Sequence, residues 1–165
     1  MKTLFLVRHA KSSRDDVTLL DKDRPLDDRG TRDASKMGKR LAKRGVKPDL
    51  IVSSPARRAL ATAQSMATEL HYKLDDIVVD DGLYAGAASD LLGVVRNLDD
   101  KRKSVMLVGH NPAISELACA LSPTIAPLPT CAVVQLRLKA TSWSDVGTAQ
   151  VVGVKLDFPK KEAAG

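Results

Sequence analysis

Aromatic residues make up only 3% of this 165-residue chain, with two Phe, two Tyr and one Trp. A protein that grips single-stranded nucleic acid by stacking bases on aromatic rings would need more of them. Cysteine is equally sparse: Cys119 and Cys131 stand 12 residues apart with no CxxC pair. That excludes a disulfide framework and a zinc ribbon. No HExxH run and no carboxylate-rich cage is present, so no metal and no cofactor is expected. The apolar stretch at residues 4–7 is cut by Arg8 and falls far short of the roughly 18 residues of a membrane span. The N-terminal run Met-Lys-Thr-Leu-Phe-Leu-Val starts like a leader, but no small-residue cleavage site follows. A cytoplasmic location and no membrane partner are therefore expected. Repeats, low-complexity tracts and Gly/Ser linkers are absent too.

What remains is an ordinary globular balance, 44% hydrophobic and 28% charged. The length suits one domain, expected over residues 1–158, with a frayed tail at 159–165. Lys and Arg number 26 against 20 Asp and Glu, a net charge of +6. Much of the excess lies at 29–44, where Ala34, Met37, Leu41 and Ala42 mark an apolar stripe on a helix. Asp27 or Asp28 can cap its start and Gly45 its end. The basic face reads as a solvated surface, with nucleic-acid binding a minor alternative, since phosphate contacts alone carry no sequence information.

Along the chain, β-rich runs alternate with helical patterns. Strands are expected at 3–7, 50–53, 77–79, 104–108, 131–138 and 150–156. Helices are expected at 29–44, at 56–70 with Ser54 capping, from Ser89 to residue 98, and at 111–121 with Pro112 in the first turn. The pattern predicts an α/β three-layer sandwich, a mostly parallel sheet with an antiparallel edge and helices on both faces.

Open α/β sheets bind ligands beyond the carboxyl ends of their strands, so the residues that follow each strand matter most. Arg8-His9 follows the first, Ser54 with Arg57-Arg58 the second, and Gly109-His110-Asn111 the run at 104–108. The third histidine, His71, has no such companions. Two histidines and two arginines on one rim suit a phosphoryl group: the guanidinium forks bind its oxygens, and a neutral imidazole can attack phosphorus. Such a pair needs one neutral imidazole and one preferably cationic, with environments that push their pKa values apart. Neighbouring arginines would lower His9, and a carboxylate or backbone acceptor could raise His110. The helix starting near Asn111 would add its positive end.

These residues fall in three motifs that resemble the histidine phosphatase superfamily, the phosphoglycerate-mutase-like phosphatases. Arg8-His9-Ala10-Lys11-Ser12-Ser13 is similar to the opening RH motif. Ser54-Pro-Ala-Arg57-Arg58-Ala59-Leu-Ala-Thr62 resembles Ser-x-x-x-Arg-Ala-x-x-Thr, and Gly109-His110-Asn111-Pro112 resembles the third motif. With Asp23-Arg24-Pro25-Leu26 and Arg29-Gly30, the chain looks like the short SixA-type phosphohistidine phosphatase branch. The resemblance implies a phosphoglycerate-mutase-like fold, with His9 as phospho-acceptor, Arg8 and Arg58 as phosphate clamps, and His110 stabilising the transition state. The 52-residue step from Arg58 to His110 leaves little room for the inserted lid of longer relatives, so an open pocket is expected. The implied partner is a protein carrying phosphohistidine or a small phosphorylated molecule, with inorganic phosphate as product.

Two departures matter. Many relatives carry Asn six residues after the first histidine, where this chain has Asp15. Phosphomonoesterases of the family also use a carboxylic acid near Asp80-Asp81-Gly82-Leu83-Tyr84-Ala85, and the aligned residue here is Ala85. Asp80 or Asp81 could stand in for it. An alkoxide leaves poorly without a proton, whereas imidazole, with a conjugate-acid pKa of about 6.5, leaves readily, so a missing acid favours N–P over O–P cleavage. Further residues that could line a phosphate pocket are Arg57, Ser12 and Asp15. The alternatives are a phosphomonoesterase acting on a small metabolite and a non-catalytic phosphate-binding module. Cys131 and Arg137 match a C-x5-R spacing, but the stretch between them has no glycine and reads as a strand. Asp21-x-Asp23 hints at an aspartyl phosphatase, yet it follows a polar loop rather than a buried strand.

Overall fold

Strand β1 (Lys2–Arg8) sits inside a six-stranded sheet because both of its faces are apolar. Leu4 and Leu6 point to one side and Phe5 and Val7 to the other, and the two sets belong to separate core clusters. The computed structural model describes residues 1–161. Strands β2 (Leu50–Ser53), β3 (Val78–Val79) and β4 (Ser104–Gly109) run parallel to β1. Strand β5 (Val133–Lys139) pairs antiparallel with β1, and β6 (Gln150–Asp157) closes the far edge against β5. The order β3-β2-β4-β1-β5-β6 gives the mostly parallel sheet with an antiparallel edge that the pattern predicts, with β5 the reversed strand.

Helices α1 (Asp28–Lys43) and α2 (Arg57–Glu69) cover one face, through Ala34, Met37 and Leu41 and through Ala59, Ala63 and Met66. Helices α3 (Ala88–Arg96) and α4 (Ala113–Leu121) cover the other, through Leu91, Val95, Ile114 and Leu117. Trp143, on the turn before β6, fills the same second cluster and donates its indole N–H to the Arg102 carbonyl at 2.6 Å. Asp27 caps α1, its carboxylate accepting from Gly30 N at 2.7 Å. A Cβ on Gly30 would overlap the Lys11 carbonyl oxygen, which explains a glycine in a helical first turn.

Some local expectations need correction. Ser54 does not cap α2: the N-cap is Ala56, and the Ser54 hydroxyl is used elsewhere. Ser89 does not cap α3; Ala87 is the N-cap, and Asp90 accepts from its N–H at 2.7 Å. Pro112 is the N-cap of α4 rather than its first residue. Cys131 is buried ahead of β5, not within it. Of the tail expected at 159–165, residues 162–165 lie outside the described residues. Pro159 meets α1, its carbonyl accepting from Lys36 Nζ at 2.7 Å.

The register of β1, β4 and β2 sets up the site. Arg8 pairs with Gly109 and Ser53 with Val108, so His9, His110 and Ser54 leave three adjacent strands at the same edge. The helix connections after β1 and β4 lie on opposite faces of the sheet, which opens a crevice between the two strand ends.

Candidate active site

A cavity of about 630 Å³ opens over these strand ends. Arg8, His9, Arg58 and His110 line it together with Ser12, Ser13, Asp15, Asp21, Arg24 and Asn111. The two imidazoles lie at its floor, each only 8% exposed, with ring centroids 4.9 Å apart. His9 Nδ1 is 2.7 Å from the Ala10 carbonyl, which can only accept, so the proton is on Nδ1 and the lone pair on Nε2. Thr62 holds this loop in place: its hydroxyl accepts from Ala10 N at 3.0 Å and donates to the Arg58 carbonyl at 2.8 Å. That link between the first and second motifs explains a threonine four residues after Arg58.

His110 Nε2 lies 2.7 Å from Ser54 Oγ, which also accepts from Ala56 N at 3.2 Å. Arg8 Nη1 donates to the Leu128 carbonyl at 2.9 Å, and Asn111 Nδ2 donates to the same oxygen at 2.9 Å. The Ser115 hydroxyl accepts from Leu128 N, so α4 fixes the carbonyl that orients Arg8. Arg58 uses its terminal nitrogens on Asp21, Nη1 to the backbone oxygen at 2.7 Å and Nη2 to Oδ2 at 3.0 Å. Three buried polar nitrogens have no partner among the described residues at this site: Arg8 Nε, Arg58 Nε and His110 Nδ1. Buried polar groups in a native fold are nearly always paired, and the two guanidinium Nε–H groups suit an anion with acceptor oxygens.

Electrostatics agree for His9 and correct the expectation for His110. Burial chiefly, with Arg58 and Arg8 adding repulsion, pushes His9 down to about 4 against the hydrogen bond to Ala10. His110 is pushed down to about 3 by burial, His9 and Arg58, and the influence of Asp21 does not offset them. Burial and the neighbouring cations thus favour the neutral form of both rings.

The other expected residues divide. Ser12 and Asp15 line the cavity, and Ser12 Oγ accepts from Arg24 Nη1 at 2.9 Å. Arg57 is exposed and is not part of the wall. Asp80 and Asp81 are not part of it either; Asp80 folds back to accept from Gly82 N at 2.8 Å, and Asp81 faces solvent. Cys131 is buried with its thiol pushed up to about 12 by desolvation, so it offers no thiolate nucleophile.

Sequence reasoning missed Asp21 and Tyr84. Asp21 belongs to a loop whose ends are tied by Ser13 N donating to the Pro25 carbonyl at 2.8 Å. Its Oδ1 accepts from Arg24 Nε at 3.2 Å and Nη2 at 3.0 Å, and its Oδ2 accepts from Arg58 and from the Tyr84 hydroxyl at 2.6 Å. Tyr84, Arg58 and Arg24 together hold this carboxyl far below the usual carboxylate range. The available signal was Asp21 three residues ahead of Arg24-Pro25-Leu26, and Tyr84 beside the position where an acid was sought.

Among the described residues no cluster of His, Cys, Asp or Glu is arranged to hold a metal ion, and no helix is long and apolar enough to cross a membrane. The model of the histidine phosphatase superfamily (branch 1) matches residues 4–85. An uncharacterised chloroplastic protein of Arabidopsis thaliana is 34% identical over 152 residues, covering 87% of this chain and 70% of the relative. An uncharacterised Mycobacterium tuberculosis protein is 31% identical over 160 residues, covering 89% and 97%. Among solved structures, an Agrobacterium tumefaciens protein assigned to the SixA phosphohistidine phosphatases superposes with a TM-score of 0.77 at 26% identity, covering 93% of this chain and 97% of its own. A mycobacterial glucosyl-3-phosphoglycerate phosphatase shares the fold at TM-score 0.65 and 18% identity, covering 99% and 100%.

Proposed function

The chain belongs to the histidine phosphatase superfamily, and on that premise we propose that it transfers a phosphoryl group from phosphohistidine on a protein to His9 and then to water. The observation that carries this reading is that Arg8, Arg58 and His110, each with a buried unpartnered nitrogen, line one cavity with a neutral His9. A phosphoryl group brings the oxygens these donors lack.

In the first step the lone pair on His9 Nε2 attacks phosphorus, and the bond to the leaving nitrogen breaks in line with it. Arg8 and Arg58 bind the equatorial oxygens. In this reading Ser54 Oγ, which accepts from Ala56 N, turns its own proton to His110 Nε2 at 2.7 Å, and His110 donates from Nδ1. In the second step water attacks phosphorus on His9, inorganic phosphate leaves and the imidazole is restored. The positive charge of the two guanidinium groups balances the charge that builds on the phosphoryl oxygens.

The leaving group points to nitrogen rather than oxygen. Asp80 and Asp81 lie away from the cavity, and Asp21 is held ionised, so none of these three carboxyls is poised to serve an alkoxide. A leaving imidazole takes its proton from water at neutral pH. Val17 and Leu20, 91% and 73% exposed, lie in the chain between the cavity residues Asp15 and Asp21 and are apolar surface available to a macromolecular substrate. The second reading, a phosphomonoesterase for a small metabolite, draws on the shared fold with the glucosyl-3-phosphoglycerate phosphatase.

The test compares phosphate release from a phosphohistidine protein and from p-nitrophenyl phosphate, with EDTA present and His9→Ala as control. Preference for phosphohistidine, lost in the variant, is expected. Equal or faster His9-dependent cleavage of the ester would move the substrate class to phosphomonoesters. Phosphate binding without turnover of either would make the chain a recognition module.

A further inference from the structure

We propose that Asp21 is a specificity-determining residue: its carboxylate stands on the leaving-group side of the cavity, favouring departure of a protonated nitrogen and opposing departure of an anionic oxygen. This rests on the reading that His9 is the nucleophile. His9 lies at the floor, whereas the Asp21 side chain is 56% exposed at the mouth. In-line displacement puts the leaving atom on the side of phosphorus away from His9 Nε2, and with His9 buried and Asp21 exposed on the same cavity we assign that side to the mouth. Arg58, a buried residue in the first turn of α2, reaches from the cavity to Asp21 and is bound to it through both terminal nitrogens.

The four contacts on the carboxylate, two from Arg24 to Oδ1 and one each from Arg58 and Tyr84 to Oδ2, fill its acceptor positions. Asp21 is therefore fixed in place and stays ionised, so it acts as a charge and not as an acid. Phosphohistidine accepts a proton from water on the ring nitrogen not bonded to phosphorus. As the N–P bond breaks, its electron pair returns to the leaving nitrogen, the new bond forms to His9 Nε2, and imidazole departs neutral with that proton retained. Up to that point the ring carries partial positive charge, which a nearby carboxylate stabilises. An ester has the opposite requirement, since its oxygen gains negative charge as the O–P bond breaks, and the same carboxylate repels it.

Asp21 also holds Arg58, and loss of that support would slow both substrate classes alike. The ratio of the two kcat/KM values isolates the charge effect. The experiment measures kcat/KM of the full chain on a phosphohistidine peptide and on p-nitrophenyl phosphate for wild type, Asp21→Asn and Asp21→Glu. Asp21→Asn is expected to lower the phosphohistidine-to-ester ratio by about tenfold, with Asp21→Glu restoring most of it. Equal loss on both substrates, or an unmoved ratio, overturns the proposal and leaves Asp21 a support for Arg58. A wild type that cleaves the ester through His9 but not phosphohistidine overturns the proposed function as well, and that result is read from the wild type and its His9→Ala control without any Asp21 variant.

Discussion

Lowering the pH from 7.5 to 5 should destabilise this protein through two particular residues. His9 and His110 are held at about 4 and about 3, against an ordinary 6.5, by burial and by the cations around them. In the unfolded chain both rings protonate below 6.5. In the fold both remain neutral at pH 5, so the unfolded state binds more protons and stability falls as pH falls through this window. Each histidine loses about 1.4 kcal/mol per pH unit, so over the stretch from 6.5 to 5 each costs about 2 kcal/mol and the pair about 4 kcal/mol. That is a large part of the 5–15 kcal/mol typical of a domain. Urea denaturation at a series of pH values would measure it, with His9→Gln/His110→Gln as reference to remove the contribution of the carboxylates. The wild type should lose about 4 kcal/mol more than the double variant between pH 7.5 and 5. Parallel curves would show that the rings titrate normally and would refute the burial-driven lowering of both histidines. Inorganic phosphate should recover part of the loss at pH 5, because an anion between the rings favours their protonated forms and binds only the folded state.

Two further changes test the scaffold around the site. Ser54→Ala leaves His110 Nε2 and Ala56 N without their partner; it should cost about 2 kcal/mol in urea denaturation and lower kcat/KM about tenfold as the Nδ1–H tautomer loses its support, and nitrogen chemical shifts of His110 would report that tautomer directly. Gly30→Ala drives a methyl group into the Lys11 carbonyl, so a loss of at least about 2 kcal/mol is expected in the same assay, and an unchanged midpoint would show that the loop after His9 moves aside freely.

The amino-acid sequence by itself determined the element order, because period-2 and period-3.6 apolar patterns alternate along it and the strand ends carry their polar residues immediately after. It also brought Arg8, His9, Arg58 and His110 to one edge, since parallel strands must present their carboxyl ends together. Local periodicity does not report hydrogen bonds between segments far apart in the chain, and the remaining features depend on those. The Asp21 loop folds back onto Arg58 across 37 residues, and Ser54 meets His110 across 56. The Leu128 carbonyl reaches Arg8 across 120. The downward shift of the two histidines likewise comes from tertiary structure, because desolvation depends on what packs over a ring and not on its neighbours in sequence. Asp80 and Asp81 mark the same boundary: both follow a strand, yet the short turn after β3 directs them away from the cavity, and the carboxylate at its mouth comes from a loop that reads in sequence as polar filler.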